Sequence, residues 1–310
     1  MKIRIGTRGS RLALCQARLV EAAIRREEKD VETELVVLQT KGDRILDRPL
    51  SEIGDKGLFV SEFERALTEG RIDLAVHSAK DLPVRLAHGL TILAALPRGD
   101  VRDVLILPKG GKRPRRGEEF VLGTGSQRRI LQARLAWEGV SCRLIRGNVE
   151  TRIRKLEAGE YDGILLAKAG LDRLGIGPET APELDFVPLE AERFLPAACQ
   201  GIIVAEGREA FSAAAENGSP ADTAFLADLC RRITSGETRL CFETERLVLA
   251  GLEADCSQAA AAWCRIRDGR LILDARYGER TCRFCGEASF GEGERLAASA
   301  ARVLRGEMQG

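Results

Sequence analysis

The stretch Ile5-Gly6-Thr7-Arg8-Gly9-Ser10 returns, one residue shorter, as Leu122-Gly123-Thr124-Gly125-Ser126. Each copy follows a strand pattern and opens a helix pattern containing Gln-Ala-Arg-Leu, so both are predicted strand-to-helix turns. A second pair of similar turns, Gly70-Arg71-Ile72-Asp73 and Gly159-Glu160-Tyr161-Asp162, precedes a later strand in each half. These repeated motifs predict an internal duplication, and the alternative is that short turns of similar sequence arose by chance.

Both halves share a predicted strand–helix–strand–helix–strand order. The predicted strands are 2–7, 34–40 and 73–77, then 120–123, 141–145 and 163–166, and the predicted helices are 10 to about 29, about 59 to 68, 126–137 and 148–157. Alternating strands and helices predict two α/β lobes with mostly parallel sheets, whose ligands bind beyond the carboxyl ends of the strands. We therefore expect a cleft between two lobes.

The last third of the chain has a different pattern. Glu216-Asn217-Gly218-Ser219-Pro220 is typical of a linker, and it is followed by a predicted helix, 222–233, and predicted strands, 261–267 and 271–277. A smaller α+β domain is expected there.

Composition excludes several classes of protein. Lys and Arg number 48 and Asp and Glu 47 among 310 residues, so the overall charge offers no general attraction for nucleic acid or an anionic membrane. No run of about 18 apolar residues and no signal-peptide pattern occurs. Nine cysteines, an odd number, favour free thiols in a reducing cytoplasm over a disulfide framework.

Arginines gather at the predicted strand-to-helix turns, namely Arg8, Arg11, Arg128, Arg129, Arg146 and Arg152. Helix amino termini bring unpaired N–H groups to the same places, and Ser10 and Ser126 add hydroxyls. Because the planar guanidinium suits carboxylates, the pattern predicts a site for a small polycarboxylate or phosphate ligand. Arginines that are merely exposed at helix starts are the alternative.

Lys80 and Asp81 directly follow the predicted strand that ends in His77-Ser78. Catalytic groups usually lie at the carboxyl ends of strands in such sheets. A carboxylate among arginines is suited to stabilise a developing cation and to transfer protons. An ordinary turn residue is the alternative for Asp81.

Cysteines concentrate toward the end of the chain. Cys282-x-x-Cys285 together with Cys256 and Cys264 would make a zinc tetrad, and hence a zinc-stabilised interaction protein. The gap between Cys256 and Cys264 lacks the usual ligand spacing, so we expect no metal site and mostly buried, unreactive thiols.

Several further runs complete the pattern in a fixed order. They are Thr7-Arg8-x-Ser10-x-Leu12-Ala13-Leu14, Lys41-Gly42-Asp43, Lys56-Gly57-Leu58-Phe59-Val60, His77-Ser78-x-Lys80-Asp81-x-Pro83, Gly123-Thr124-x-Ser126-x-Arg128-Arg129, Arg146-Gly147-Asn148-Val149-x-Thr151-Arg152, Ala169-Gly170-Leu171-x-Arg173-Leu174-Gly175 and Leu195-Pro196-Ala197-x-x-Gln200-Gly201. Each run is weak alone, but their order and spacing are specific. Through them the chain resembles the porphobilinogen deaminase (hydroxymethylbilane synthase) family over nearly its whole length.

The resemblance implies two α/β lobes of the type II periplasmic-binding-protein kind and a smaller α+β C-terminal domain. The implied domains are 1–97 with 197–216, then 98–196, then 217–310. The implied activity is that of a monomeric cytoplasmic transferase of tetrapyrrole (haem) biosynthesis, which polymerises four porphobilinogen molecules into hydroxymethylbilane and releases ammonia. No nucleic-acid or membrane partner is expected, and a two-lobed small-anion binding protein without catalysis is the alternative.

The resemblance also implies roles for single residues. Cys256 is expected to carry a dipyrromethane cofactor, a primer made from two porphobilinogen units, through a thioether bond. Asp81 is the expected catalytic residue, assisting loss of ammonia to give an azafulvene-like cation. The expected cofactor-binding residues are Lys80, Asp43, Ser126, Arg128, Arg129, Arg146 and Gly147, and the expected substrate-binding residues are Arg8, Ser10, Arg152, Arg173, Lys56 and Phe59.

The segment before the expected cofactor cysteine departs from the family pattern. Where the family reads Glu-Gly-Gly-Cys, this chain has Glu253-Ala254-Asp255-Cys256. Replacing the glycines restricts the backbone if positive φ is needed there, and Asp255 disfavours the thiolate of its neighbour. Gly125 and Cys199 are smaller departures, at positions where Ser and Gly are expected.

Overall fold

The computed structural model of the chain describes residues 1–39, 60–209, 220–254 and 258–307. The strands are β1 (Lys2–Arg8), β2 (Glu32–Leu38), β3 (Leu74–Ser78), β4 (Leu90–Ala95), β5 (Asp103–Pro108), β6 (Phe120–Gly123), β7 (Val140–Arg143), β8 (Gly163–Ala167), β9 (Leu184–Pro188), β10 (Ile203–Arg208), β11 (Ala260–Arg267), β12 (Arg270–Tyr277) and β13 (Arg280–Glu287). The helices are α1 (Arg11–Glu27), α2 (Ser61–Thr68), α3 (Gln127–Ala136), α4 (Val149–Glu157), α5 (Lys168–Leu174), α6 (Pro220–Arg232), α7 (Gly236–Gly251) and α8 (Phe290–Arg305).

The described residues fall into two compact units. The first contains the described residues up to Arg98 and those of Ile202–Phe242, and the second contains Gly99–Gly201 and the described residues from Glu243 onward. The three-domain division predicted from the sequence stays a prediction beside this. Of the helices in these ranges, none combines the length and the apolar character needed to cross a membrane.

Two five-stranded sheets, one in each unit, share a single strand order. The order is β2-β1-β3-β10-β4 in the first lobe and β7-β6-β8-β5-β9 in the second. The fourth strand of each sheet, β10 or β5, runs antiparallel to both of its neighbours. This is the arrangement of type II periplasmic-binding-protein lobes, so the predicted α/β fold class is confirmed, and the shared order is what an internal duplication requires.

The antiparallel strands are the main difference from the sequence prediction, which expects mostly parallel pairing. Strands β5 and β10 are each the first strand that the chain forms after it passes from one lobe to the other. Neither strand is reached through a β-α-β unit of its own lobe, so the rule that makes such neighbours parallel does not apply to them.

The first lobe buries apolar residues on both faces of its sheet. Helix α1 packs Ala17, Val20 and Ile24, spaced at helical period, against Ile3 and Ile5 of β1, and α6 joins the same core. Helix α2 covers the opposite face. The valine and each of the isoleucines contribute about 1.5–3 kcal/mol when fully buried.

The second lobe repeats this layering. On β5, Val104 and Ile106 face α4 and α5, whereas Leu105 and Leu107 face α3, as the alternation of side chains along a strand requires. The sheet is therefore covered by helices on both faces, and the polar turns at its strand ends are left to form sites.

The last sheet is an antiparallel meander, β11-β12-β13, with α8 packed against β12 and β13. Ser289 caps the amino end of α8 and Gly306, at φ 83°, caps its carboxyl end. The predicted α+β character of this region is confirmed, although the sequence pattern predicts only the helix before the sheet and the first two of its strands.

Candidate active site

The turns predicted to bind anions are capped helix amino termini. Ser10 Oγ accepts the Ala13 N–H at the start of α1, and Ser126 Oγ accepts the Arg129 N–H at 3.4 Å at the start of α3. Asn148 accepts the Thr151 N–H at 2.8 Å at the start of α4. Such helix starts present N–H groups and a positive dipole end, which favour anions.

Lys80 and Asp81 lie in a 3-10 turn, Ala79–Asp81, directly after β3. The turn is held at its start by the Ala79 N–H, which donates to Ile202 O at 3.0 Å. Ser78 is held by Gln16, whose buried amide donates to Ser78 Oγ at 2.7 Å. The side chain of Asp81 is exposed, so the turn presents a carboxylate from a fixed backbone.

Arg8 ends β1, and β1 and β3 are parallel neighbours. Their carboxyl ends therefore lie at the same edge of the first sheet, so Arg8 and Ser10 follow one strand and Lys80 and Asp81 follow the next. The structure thus brings two predicted pairs of site residues to one sheet edge.

Arg128 and Arg129, in the first turn of α3, are buried and share one carboxylate. Arg128 Nη2 lies 2.8 Å from Asp103 Oδ2, and Arg129 Nη2 donates to Asp103 Oδ1 at 2.7 Å. Arg128 Nη1 donates to Leu195 O and Arg129 Nη1 to Leu165 O. Asp103 is 0%, Arg128 3% and Arg129 7% exposed. The alternative of merely exposed arginines is therefore wrong for this pair.

This arginine cluster, Arg128, Arg129 and Asp103, carries two positive charges and one negative charge, and so a net single positive charge. Burial alone would raise the pKa of Asp103, but the two guanidiniums outweigh burial and hold that pKa well below its ordinary value. Burial lowers the pKa of Arg128. The carboxylate stays ionised, so the excess charge of the cluster is positive.

Two donors of the arginine cluster are left over. The Nε atoms of Arg128 and Arg129 are buried and have no hydrogen-bond partner among the described residues. Buried donors without partners are costly and call for an acceptor, and a buried excess of positive charge calls for an anion. The net positive charge and the two unpaired donors are the features of the cluster that favour an anion.

The remaining predicted residues of the second lobe follow β7 and β8. Arg146 and Gly147 form the turn before α4, where Gly147 has φ 114° and a Cβ atom would lie 2.6 Å from Thr151. Only glycine fits there without displacing a neighbour. Arg152 Nε donates to Gly147 O at 2.8 Å, so the structure brings these two predicted residues together.

Arg173, in α5, contacts the segment through which the chain leaves the second lobe. Its Nη2 donates to Gly201 O at 2.5 Å, and the Gly99 N–H donates to the same oxygen at 3.0 Å. Asp43, Lys56, Phe59 and Cys256 lie outside the described residues.

The residues just before Cys256 show whether positive φ is needed at the first replaced glycine. Glu253, rather than the residue at the first replaced glycine, is the one with positive φ, at 52°, where α7 ends. Ala254 has no positive φ and is buried, and its N–H donates to Leu249 O at 3.0 Å. The exchange of glycine for Ala254 is therefore accommodated without left-handed backbone.

Cys282 and Cys285 lie on opposite faces of β13, because side chains three residues apart on a strand point in opposite directions. Cys282 is half-buried and Cys285 exposed. These two thiols cannot ligate one metal ion, which removes the basis of the zinc hypothesis. Within the described ranges, no group of three or more metal-ligating side chains occurs.

Three residues next to the predicted site were not proposed as site residues from the sequence. Asp103 sits between the two arginines, Gln200 donates to Asp103, and Gln16 holds Ser78. Gln200 belongs to one of the family-like runs, and Gln16 recurs in the duplication as Gln132, so the sequence contains a feature that could have identified each of them. Asp103 has no such feature, because an acid at a strand start is common.

A family model described as "Porphobilinogen deaminase, dipyromethane cofactor binding domain" matches residues 3–216. Porphobilinogen deaminase of Acetivibrio thermocellus is 39% identical over 282 residues, which cover 90% of this chain and 89% of that protein. Porphobilinogen deaminase of Alkaliphilus oremlandii is 37% identical over 310 residues, which cover 99% of this chain and 98% of that protein.

Solved structures resemble the chain more distantly. The BenM effector binding domain with benzoate is 16% identical with a TM-score of 0.40, covering 75% of this chain and 91% of that one. A putative sulfonate-binding protein, SsuA of Methylobacillus flagellatus KT, is 14% identical with a TM-score of 0.42, covering 79% of this chain and 72% of that one.

Proposed function

The chain belongs to the porphobilinogen deaminase family, and from that premise we propose how its residues carry out the reaction. It is an enzyme with hydroxymethylbilane synthase activity, which polymerises four porphobilinogen molecules into hydroxymethylbilane and releases ammonia in tetrapyrrole biosynthesis. It binds a dipyrromethane cofactor. The alternative of a binding protein without catalysis is not favoured by its relatives.

The cofactor is attached to Cys256. In the attachment step the Cys256 Sγ–carbon bond forms and the carbon–nitrogen bond of the aminomethyl group breaks, and ammonia leaves with the thiol proton. When bound, the dipyrromethane supplies a free pyrrole carbon as the starting point for chain growth. The nearest described residues on either side of Cys256 are held in place, because Ala254 is buried and Gln258 Oε1 lies 3.4 Å from the hydroxyl of Tyr277.

The arginine cluster carries this proposal. Every pyrrole unit of cofactor and substrate bears two carboxylates, so the protein must supply cations and unpaired donors. Arg128 and Arg129 supply both, since their cluster has a net positive charge and two buried Nε donors without partners among the described residues. These residues fit a carboxylate-bearing cofactor.

Asp81 acts on the aminomethyl group that reacts. We propose that its exposed carboxylate contacts the pyrrole nitrogen, where it stabilises the positive charge that develops as ammonia leaves. Its place in a fixed turn after β3 supports this role, because the backbone is held before substrate arrives. Lys80, beside it, supplies a cation for a carboxylate of the cofactor.

The other assignments follow the sequence expectation. The remaining cofactor-binding residues are Asp43, Ser126, Arg128, Arg129, Arg146 and Gly147, and the substrate-binding residues are Arg8, Ser10, Arg152, Arg173, Lys56 and Phe59. The capped helix starts at Ser10 and Ser126 support these roles, because they add backbone donors for the same anions.

We also propose a cytoplasmic monomer. All cysteines among the described residues are free thiols, which suits a reducing compartment. Light scattering of the purified protein at several concentrations tests the monomer, and a mass of two chains would contradict it.

Intact mass spectrometry of the purified chain tests the cofactor assignment. We expect the wild-type mass to exceed the sequence mass by two linked pyrrole units, and Cys256→Ser to have the sequence mass only. Cys285→Ser, which removes an exposed thiol, is the control and should carry the same added mass as wild type. A wild-type chain that stays at its sequence mass after incubation with porphobilinogen would contradict the proposal.

A further inference from the structure

Gln200 ties Asp103 to the segments through which the chain passes between its lobes. Its Nε2 donates to Asp103 Oδ1 at 3.0 Å and to Val101 O at 2.8 Å, and the residue is fully buried. Asp103 is thus held by Gln200 as well as by Arg128 and Arg129. A buried carboxylate fixed by three side chains keeps one orientation, and it fixes the guanidiniums in turn.

The first lobe builds the same helix without these charges. The duplication aligns Ser10 with Ser126, and so places Leu12 and Ala13 of α1 where α3 has Arg128 and Arg129. Both helices nevertheless start with the same serine cap and pack on a sheet of the same order. The framework therefore does not need the arginines.

The strand register shows the same for Asp103. In the second lobe Asp103 of β5 lies opposite Ala167 of β8, and in the first lobe Ile203 of β10 lies opposite Ser78 of β3. Ile203 is buried among apolar residues. Because well-packed apolar residues usually stabilise a core at least as much as a buried ion cluster does, Asp103 is explained poorly by stability.

We propose that Asp103 and Gln200 are positioning residues for the carboxylate site of Arg128 and Arg129, an inference that rests on the proposed function. Asp103 holds the two guanidiniums side by side and offsets one of their two charges, so the remaining charge matches a single carboxylate rather than a dianion. Gln200 fixes the Asp103 carboxylate, and through it the two guanidiniums whose Nε donors have no partner among the described residues.

Asp73 provides a matched control. It is a buried aspartate between two arginines in the first lobe, with Arg4 Nη2 at 2.8 Å and Arg208 Nη2 at 3.4 Å. None of these three residues belongs to the proposed site. Asp73→Asn therefore shows how much a buried aspartate between arginines matters for folding alone.

The test compares wild type, Gln200→Met, Asp103→Asn and Asp73→Asn, each produced in cells that lack porphobilinogen. For each protein we would measure the thermal unfolding midpoint and the rate at which the folded chain gains the primer mass on incubation with porphobilinogen. We expect Gln200→Met to load about tenfold more slowly, the effect of losing one hydrogen bond to a charged group, and Asp103→Asn to load more slowly still. Asp73→Asn should unfold at lower temperature yet load within about twofold of wild type.

Each outcome decides the matter. If Gln200→Met loads as fast as wild type, the positioning role is overturned, and this variant serves even if Asp103→Asn fails to fold. If the loading rate of Asp73→Asn falls with its loss of stability in the same ratio as the rates of Asp103→Asn and Gln200→Met do, the roles of Asp103 and Gln200 are merely structural. If wild type itself gains no primer mass, the proposed function has failed rather than this inference.

Discussion

Asp73 and Asp162 make the same pair of hydrogen bonds in the two lobes. The Asp73 N–H donates to Arg4 O while its carboxylate accepts the Arg4 N–H, both at 2.8 Å. The Asp162 N–H donates to Val121 O at 2.9 Å while its carboxylate accepts the Val121 N–H at 2.6 Å. Each aspartate thus fastens the residue just before a strand, β3 or β8, to the neighbouring parallel strand, β1 or β6.

We expect Asp162→Ala to lower the free energy of unfolding by about 1–3 kcal/mol, because the Val121 N–H loses its acceptor. Denaturant titration checks this. Turnover of the folded, primer-loaded protein should be unchanged, since Asp162 has no role in the reaction. Unaltered stability would show that water replaces the carboxylate fully.

Asp81→Asn should lower turnover of porphobilinogen by about 10²-fold or more, the usual contribution of a positioned acid–base group. The exchange keeps size and shape but removes the negative charge that, by our proposal, stabilises the pyrrole cation formed as ammonia leaves. Steady-state ammonia release measures it. The unfolding midpoint should be unchanged because the side chain is exposed, and near-normal turnover would remove Asp81 from the mechanism.

Glu253→Gly should raise the free energy of unfolding by about 1 kcal/mol, because Glu253 has φ 52° at the end of α7, where glycine is favoured. The same exchange at Glu243, inside α7, is the control and should destabilise by at least about 1 kcal/mol. Denaturant titration of both variants checks the pair. Equal signs at the two positions would contradict the left-handed cap.

Stability at alkaline pH should depend on Cys230. Burial raises the pKa of its thiol to about 12 from an ordinary 9.0, so the folded state holds the proton more tightly than the unfolded state. This contribution is complete below pH 9 and is lost as pH rises toward 12, with a limiting slope of about 1.4 kcal/mol per pH unit.

Cys230→Ala should make the free energy of unfolding fall less steeply with pH, whereas Cys285→Ala, at an exposed thiol, should leave that slope unchanged. Urea titrations at several pH values between 9 and 11 measure the slopes. Equal slopes in wild type and Cys230→Ala would show that the buried thiol does not carry the effect.

The local fold was predictable where the chain signals its own structure. Ser10 and Ser126 mark helix starts in the sequence, and both are caps in the structure. Strand bounds shifted by a residue or two, as with β2, predicted at 34–40 and found at Glu32–Leu38. Capping and periodicity are local properties, so a single sequence displays them.

The missing parts depend on long-range contacts. Nothing local in β5 or β10 shows that each enters a sheet antiparallel to its neighbours. Arg128 likewise looks in sequence like any helix-start arginine, and its burial follows from Asp103, 25 positions earlier in the chain. The candidate site residues could therefore be proposed from the turns that they occupy and from the resemblance, whereas the residue that holds two of them required the structure.

The position of β10 has a consequence for synthesis of the protein. The sheet of the second lobe uses only strands between Asp103 and Pro188, whereas the sheet of the first lobe lacks one of its interior strands until Ile203–Arg208 has been made. A nascent chain leaving the ribosome can therefore close its second sheet before its first, although the first begins at the amino terminus. Until then β3 and β4 each present an unpaired edge. Unpaired strand edges promote aggregation, so this is the stage of synthesis at which we expect binding by chaperones to matter most.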